Sequence, residues 1–380
     1  MRYSNLQIVR LFAALGVVIY HLGVFARLPQ IYGNESAFSR TFQNGFCGAL
    51  GVNTFFVISG FVLTHSLRGG SVRRFLGLRL LRLYPAYWLA LALVLPVRYA
   101  VWLGDPQFGP GWRTGLALLP GGHSSGYFLG VEWTLVYEIF FSLVVAALAW
   151  VGGRRAVVIG AFVWLGLCVG RLATHDPDSA LWAFPTWGQI AFSTYNIPFL
   201  LGVFVWTVRD WSFRWFGVPA AILGLAVLVE GFGYSRSSAV GTNLCLSVAG
   251  AAIVWLAIRL PQVRLTWLIR GGDWSYGIYL LHVPVVLVVF RLLRERAEVG
   301  GASWGVVLAG TTAVLVGCAF GRLELGMYAR LKARLFPAGV PKAVEAAAPV
   351  DVAGEPRRPR DGRDAVEIRV RHWTKTPSAI

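Results

Sequence analysis

Apolar runs of bilayer length follow one another along most of this chain, and they leave it few ways to fold. A membrane-spanning helix needs about 20 apolar residues. Ten runs qualify, at roughly 6–26, 48–67, 83–103, 127–150, 156–171, 188–208, 215–232, 242–259, 274–292 and 303–321. Inside a bilayer every backbone N–H and C=O must be satisfied within the protein, so such runs become helices. Composition agrees: of the 380 residues, 56% are hydrophobic and 14% charged, where a soluble domain carries about 25% charged residues. The expectation is an all-α integral membrane protein of about ten transmembrane helices. The first run is not expected to be a cleaved signal, because no A-x-A-like site ends it and Arg10 lies inside it.

A net charge of +17 would suit a nucleic-acid partner. The placement of the charge excludes that class, because the basic residues fall at the ends of the runs. With the N-terminus inside, inner loops hold Arg68, Arg73, Arg74, Arg79, Arg82, Arg154, Arg155, Arg209, Arg214, Arg259, Arg264 and Arg270. Outer loops hold Arg27, Arg40, Arg113, Arg171, Arg236, Arg291, Arg294 and Arg296. Twelve against eight favours a cytoplasmic N-terminus, and ten crossings return the C-terminus to the same side. Membrane lipid is then a partner, and the location is a cell membrane of bacterial type.

Two expected outer loops, 27–47 and 172–187, are long enough to cover an outward-facing site. Residues 1–336 form the transmembrane domain. Residues 337–380 differ in character: 8 basic and 6 acidic residues, many Pro and Ala, and no apolar period. That composition predicts a polar, disordered cytoplasmic tail. Residues 364–373 alternate weakly; a solvated tail accounts for them as well as a strand added to a partner does. Cys47, Cys168, Cys245 and Cys318 fall in or beside four different runs with no C-x-x-C pair, so they read as buried thiols. No H-E-x-x-H, P-loop or Rossmann pattern occurs, and no metal site is expected.

Ionisable residues inside the runs carry the functional signal, since a charge at mid-bilayer costs at least ~2.5 kcal/mol. His21 follows Arg10 by eleven residues in the first run. Eleven residues advance about 16 Å and roughly three whole turns. Both side chains therefore share a face, one near a membrane surface and one near mid-bilayer. Gly51, Phe55 and Ser59 recur every four residues, a spacing that close helix packing explains equally well. Arg79 and Arg82 share a face at i and i+3. They suit either positive-inside anchoring or capture of a phosphorylated ligand by guanidinium forks. Glu138 lies halfway through the fourth run, as a structural partner for a cation or as a working carboxylate. Ser275, Tyr279 and His282 stack at i, i+4 and i+7 with Pro284 just beyond; His282 is a packing residue or a functional one. His65, His123, His175 and His372 form no pattern.

Taken in order, these segments resemble the membrane-bound acyltransferase-3 family. The resemblance rests on Arg10 and His21; on Gly51-Val52-Asn53-Thr54-Phe55-Phe56-Val57-Ile58-Ser59-Gly60-Phe61, with Asn53 where Asp is frequent; and on Arg79, Arg82 and Pro85. Trp133, Thr134, Leu135 and Glu138 follow, then Ser275, Tyr276, Tyr279, His282 and Pro284, and finally Glu324. It covers about residues 1–335 and is nearest to exopolysaccharide and O-antigen types. It implies a membrane O-acyltransferase that moves an acyl group, acetyl above all, from cytoplasmic acyl-CoA to a hydroxyl of a glycan or small-molecule acceptor. Acyl-CoA is a donor substrate, and no permanently bound cofactor is implied. No fused esterase-like domain follows the last run, so transfer is expected to finish within the membrane domain. His21 is the expected base, Arg79 and Arg82 the CoA-phosphate ligands, and Arg10 a further donor to the cofactor. Glu138 would orient an active-site group, and Ser59, Tyr279 and His282 would contact the acceptor. Direct transfer in a ternary complex and passage through an acyl-histidine are both open. The competing class is a lipid-linked glycan transporter, whose mid-membrane ionisable residues would form a substrate path; the lack of an inverted repeat counts against it.

Overall fold

The computed structural model describes residues 3–28, 31–33, 36–43, 45–67, 71–101, 112–122, 127–174, 183–210, 217–231, 239–297 and 303–337. Every regular element among the described residues is a helix. In order these are α1 (Ser4–Arg27), α2 (Ala37–Phe42), α3 (Phe46–Ser66), α4 (Val72–Val101), α5 (Trp112–Leu116), α6 (Glu132–Thr174) and α7 (Trp187–Ile190). After them come α8 (Asn196–Thr207), α9 (Gly217–Gly231), α10 (Ala239–Arg259), α11 (Thr266–Asp273), α12 (Ser275–Ala297) and α13 (Ser303–Leu335).

Among the described residues, seven helices are long and apolar enough to cross a membrane: α1, α3, α4, α6, α10, α12 and α13. The ten runs and these seven helices differ at two places. α6 takes in both the fourth and the fifth run, and its backbone breaks at Gly152 and Gly153. Gly153 has φ +61°, a left-handed conformation open mainly to glycine. α8 and α9, from the sixth and seventh runs, have only 12 and 15 residues.

α1 packs on α3, α11 and α12; α3 packs on α8 and α10; α4 packs on α6, α12 and α13. The α3–α8 crossing is close because it uses glycine on both sides. A Cβ on Gly60 would strike the carbonyl oxygen of Phe199, and one on Gly202 would strike that of Val57. In lipid, such close approach replaces the hydrophobic drive that holds helices together in water.

Several helix ends are tied into one face of the bundle. Asn5 of α1 donates from Nδ2 to the Ala257 carbonyl at 3.1 Å and accepts from the Val263 N–H at 2.9 Å. Arg74 of α4 donates to the Phe336 carbonyl at 3.3 Å. The starts of α1 and α4 therefore lie beside the ends of α10 and α13. The loop expected at 27–47 contains α2, capped by Ser36 through the Ser39 N–H. Half of the loop expected at 172–187 (residues 175–182), the tail from residue 338 on, and His123, His175 and His372 lie outside the described residues.

Candidate active site

A cavity of about 370 Å³ opens between α1, α3, α4, α6, α12 and α13. Tyr3, Ser66, Phe75 and Lys332 line the end toward the tied face, and Thr134 and Tyr279 line the deep end. Of the eight residues that the sequence singles out, Arg10, Ser59, Arg79, Arg82, Glu138 and Tyr279 line this cavity. The four-residue stripe on α3 divides: Phe55 and Ser59 face the cavity, whereas Gly51 backs onto the Ala13 carbonyl of α1. Asn53 is fully buried elsewhere, with Nδ2 3.5 Å from the Asn243 carbonyl.

Charge in the cavity is mostly positive. Arg10, Arg79, Arg82 and Lys332 line it against the single carboxylate of Glu138. Arg82 is the most constrained of the four cations. Its Nη1 pairs with Oε2 of Glu324, whose side chain is 1% exposed. Its guanidinium also lies 5.3 Å from the Tyr276 ring centroid and 5.5 Å from that of Tyr328. Glu138 lies within electrostatic reach of Arg10 and Arg79, and neither closes an ion pair with it. Among the described residues Arg10 reaches only Gln7 Oε1, at 3.4 Å. Cations with unfilled donor positions in a low-dielectric cleft attract and orient an anionic ligand.

The deep end leads to the two mid-span histidines. Thr134 donates its hydroxyl proton to the Val131 carbonyl at 2.9 Å, so the Tyr279 hydroxyl is the donor in their 2.9 Å contact. The Tyr279 ring lies against Phe55, at 5.4 Å, and against His282, at 5.8 Å. His282 is fully buried behind it. Its Nε2 is 3.1 Å from Nδ1 of His21, which is also 3.0 Å from the Val17 carbonyl. Phe25 stacks on His21 with ring centroids 5.5 Å apart. His21 is the eighteenth of 24 residues in α1 and His282 the eighth of 23 in α12, and the structure adds that they touch. His282 lies behind Tyr279 rather than on the cavity wall.

The segment entering α6 is buried as well. Phe128, Leu129 and Val131 are buried, and their irregular backbone needs partners. Glu132 supplies them: its carboxylate accepts from the N–H groups of Phe128 (2.6 Å), Leu129 (2.6 Å) and Val131 (3.0 Å). Just outside, burial and then the Glu132 charge push the Tyr127 phenol up to about 12. It stays protonated and faces the Leu119 carbonyl at 3.5 Å.

Sequence reasoning passed over Lys332, Tyr328 and Glu132. A signal for the first two was present, because Glu324, Tyr328 and Lys332 recur every four residues along one face of α13. Glu132 could have been noticed as an acidic residue in a helix first turn, where orphan N–H groups gather.

An apolar helical bundle thus encloses a cationic cavity, with two touching histidines behind one of its walls. The chain belongs to the acyltransferase-3 family: the profile of its acyltransferase domain matches residues 3–322. It is therefore an acyltransferase enzyme. Acyltransferase MdmB of Streptomyces mycarofaciens is 24% identical, over 83% of this chain and 86% of its own length. Exopolysaccharide production protein ExoZ of Rhizobium meliloti is 27% identical, over 77% of this chain and 93% of its own. Nodulation protein 10 of Rhizobium leguminosarum bv. viciae is 26% identical, over 74% of this chain and 83% of its own. No solved structure matches the chain. These matches do not favour the transporter reading.

Proposed function

We propose that this acyltransferase takes an acyl group, acetyl above all, from acyl-CoA and passes it to a hydroxyl of a glycan or a secondary metabolite. The carrying observation is one cavity with cations along its length and a histidine pair behind its deep end. The name of ExoZ supports an acceptor of extracellular-polysaccharide type, and that of MdmB supports acyl transfer. Arg79 and Lys332 lie toward the tied face and serve the CoA phosphates, since charge-assisted forks suit phosphate oxygens. Arg10 holds the arm that threads inward. Arg82 keeps Glu324 compensated and sets the wall beside the donor. His21 acts on the acceptor hydroxyl as general base, and Glu138 orients groups across the cavity. Ser59 and Tyr279 line the path to the reacting carbon. The acceptor oxygen attacks the thioester carbonyl, the C–S bond breaks, and the thiolate recovers the proton from His21.

The reading includes a topology. α6 counts as two crossings on either side of Gly153, and α8 and α9 complete ten, with both termini in the cytoplasm. The tied face then carries Arg73, Arg74 and Arg259 toward the cytoplasm, where CoA resides. Single cysteines at positions 70, 180 and 345, in a chain without Cys47, Cys168, Cys245 and Cys318, test this. Impermeant label added to intact cells should reach position 180 alone; label at position 70 would overturn the donor side.

His21→Ala tests the chemistry. The variant should insert and fold while acyl transfer falls by ~10²–10⁴-fold, the usual cost of losing a general base. Mass spectrometry of surface glycans and secreted metabolites, from cells with and without the protein, identifies the acceptor. Unchanged transfer by well-expressed His21→Ala removes His21 from the mechanism.

A further inference from the structure

The ring nitrogens of the two histidines allow their protons to be assigned. His282 Nδ1 lies 2.8 Å from the Tyr279 carbonyl and 3.3 Å from that of Ile278. Carbonyl oxygens only accept, so Nδ1 carries a hydrogen and donates it. No carboxylate pairs with this fully buried ring among the described residues, so His282 is neutral and its Nε2 holds a lone pair. His21 Nδ1 is 3.1 Å from that lone pair and 3.0 Å from the Val17 carbonyl. Both are acceptors, so His21 Nδ1 must be the N–H, shared between them. The reverse assignment would turn a His21 lone pair toward a carbonyl oxygen and a second lone pair, leaving buried acceptors facing one another.

We propose that His282 is a positioning residue: it holds His21 as the Nδ1–H tautomer and so leaves Nε2 as the reacting nitrogen. The proposal rests on the reading of His21 as the base. Which nitrogen of an imidazole is basic is set by the bond the other one makes. Here that bond is fixed from two sides, by α1's own carbonyl and by α12. When the acceptor hydroxyl gives its proton to Nε2, the resulting imidazolium keeps its Nδ1–H on Val17 and His282. No group needs to turn in that step, which lowers its reorganisation cost. The acceptor oxygen forms the new bond to the acyl carbon, the thioester C–S bond breaks, and the thiolate takes the proton back from Nε2. His282 gains and loses nothing in the cycle. Tyr279 ties this pair to the cavity, because its carbonyl orders His282 while its hydroxyl faces Thr134.

Nitrogen NMR of the full chain in lipid nanodiscs, with ¹⁵N-histidine, reads the tautomer directly. His21 signals are assigned by their loss in His21→Gln. Wild type should show a protonated Nδ1 and an unprotonated Nε2; a wild-type His21 protonated at Nε2 overturns the proposal without any variant. In His282→Phe the His21 signals should shift toward a mixture of tautomers. In His282→Gln, whose Oε1 can accept from Nδ1–H, they should return. Acetyl-CoA consumption by native membranes is the second readout. His282→Phe should lower kcat by less than the ~10²–10⁴-fold cost of losing the base itself and leave KM for acetyl-CoA within about twofold, with partial rescue by Gln. Folded His282→Phe with unchanged His21 signals overturns the positioning role. Signals that shift as expected, with turnover unaffected by His21→Ala, would instead overturn the base reading and leave the tautomer assignment standing.

Discussion

Arg79 and Arg82 stand three residues apart on one face of α4, and both line the same cavity, yet their surroundings differ. Arg82 is closed by Glu324 and lies near the Tyr276 and Tyr328 rings. Arg79 has the Phe75 ring at 5.9 Å and Glu138 across the cavity, with no ion pair closed. Glu324 is nearly inaccessible, and its second oxygen, Oε1, is buried without a hydrogen-bond partner among the described residues. Arg82 is thus what makes a buried carboxylate tolerable, while Arg79 keeps donors for a ligand. Two cations of the same type and spacing can do different work, and the partner decides which.

Five variants break or sharpen this contrast. The largest effect is expected for Arg82→Ala, which strands Glu324 as an uncompensated buried charge. Losing one partner of such a pair costs about 3–5 kcal/mol. Thermal and denaturant unfolding in detergent should show it, and a variant as stable as wild type would mean that the pair carries no structural weight. Arg82→Met combined with Glu324→Leu should recover much of that stability, because well-packed apolar replacements of buried pairs are often neutral. Its KM for acyl-CoA should stay near that of wild type; a large rise would make Arg82 a ligand like Arg79.

Arg79→Ala should leave unfolding almost unchanged and weaken acyl-CoA binding by about 1.5–3 kcal/mol, the worth of a hydrogen bond to a charged group. Arg79→Lys should recover only part of it, because the planar fork is lost. Steady-state kinetics with varied acyl-CoA read this, and an unaltered KM would reduce Arg79 to a topological anchor. Lys332→Ala should give the smallest effect, about 0.2–1 kcal/mol, because Lys332 is half-buried at the cavity mouth and screened by solvent. The change should appear in KM for acyl-CoA and shrink further in high salt. A salt-independent loss would argue for a packing role over Tyr328, whose ring centroid is 5.9 Å from the ammonium.

Much of this site was legible before the fold was known. Arg10 and His21, Ser59, Glu138, Tyr279 and His282 stand out as polar or ionisable groups within apolar runs, and the cost of placing them there is independent of packing; Arg79 and Arg82 stand out by sharing a face just before the third run. The helix count was less legible. Hydropathy separated two runs at 151–155, where Gly152 and Gly153 leave the helical region, but it cannot see that α8 closes after 12 residues. Glu132 was hidden for another reason. Its importance comes from backbone N–H groups on a non-helical approach, and that approach forms only once Phe128 and Leu129 are buried.

The sequence by itself determined that this chain is an apolar helical bundle of the acyltransferase-3 family, with cations toward one end of its helices and histidines near the middle. Helix formation in lipid is a local requirement, met residue by residue along each run. Tertiary structure alone decided that Arg82 meets a carboxylate 242 positions away. It also decided that His21 meets His282 across 261 positions, and that both ring nitrogens of His282 are engaged. Spacing within one helix fixes which face a residue shares. Which partner waits on that face depends on how separate helices pack, and that information resides in no single run.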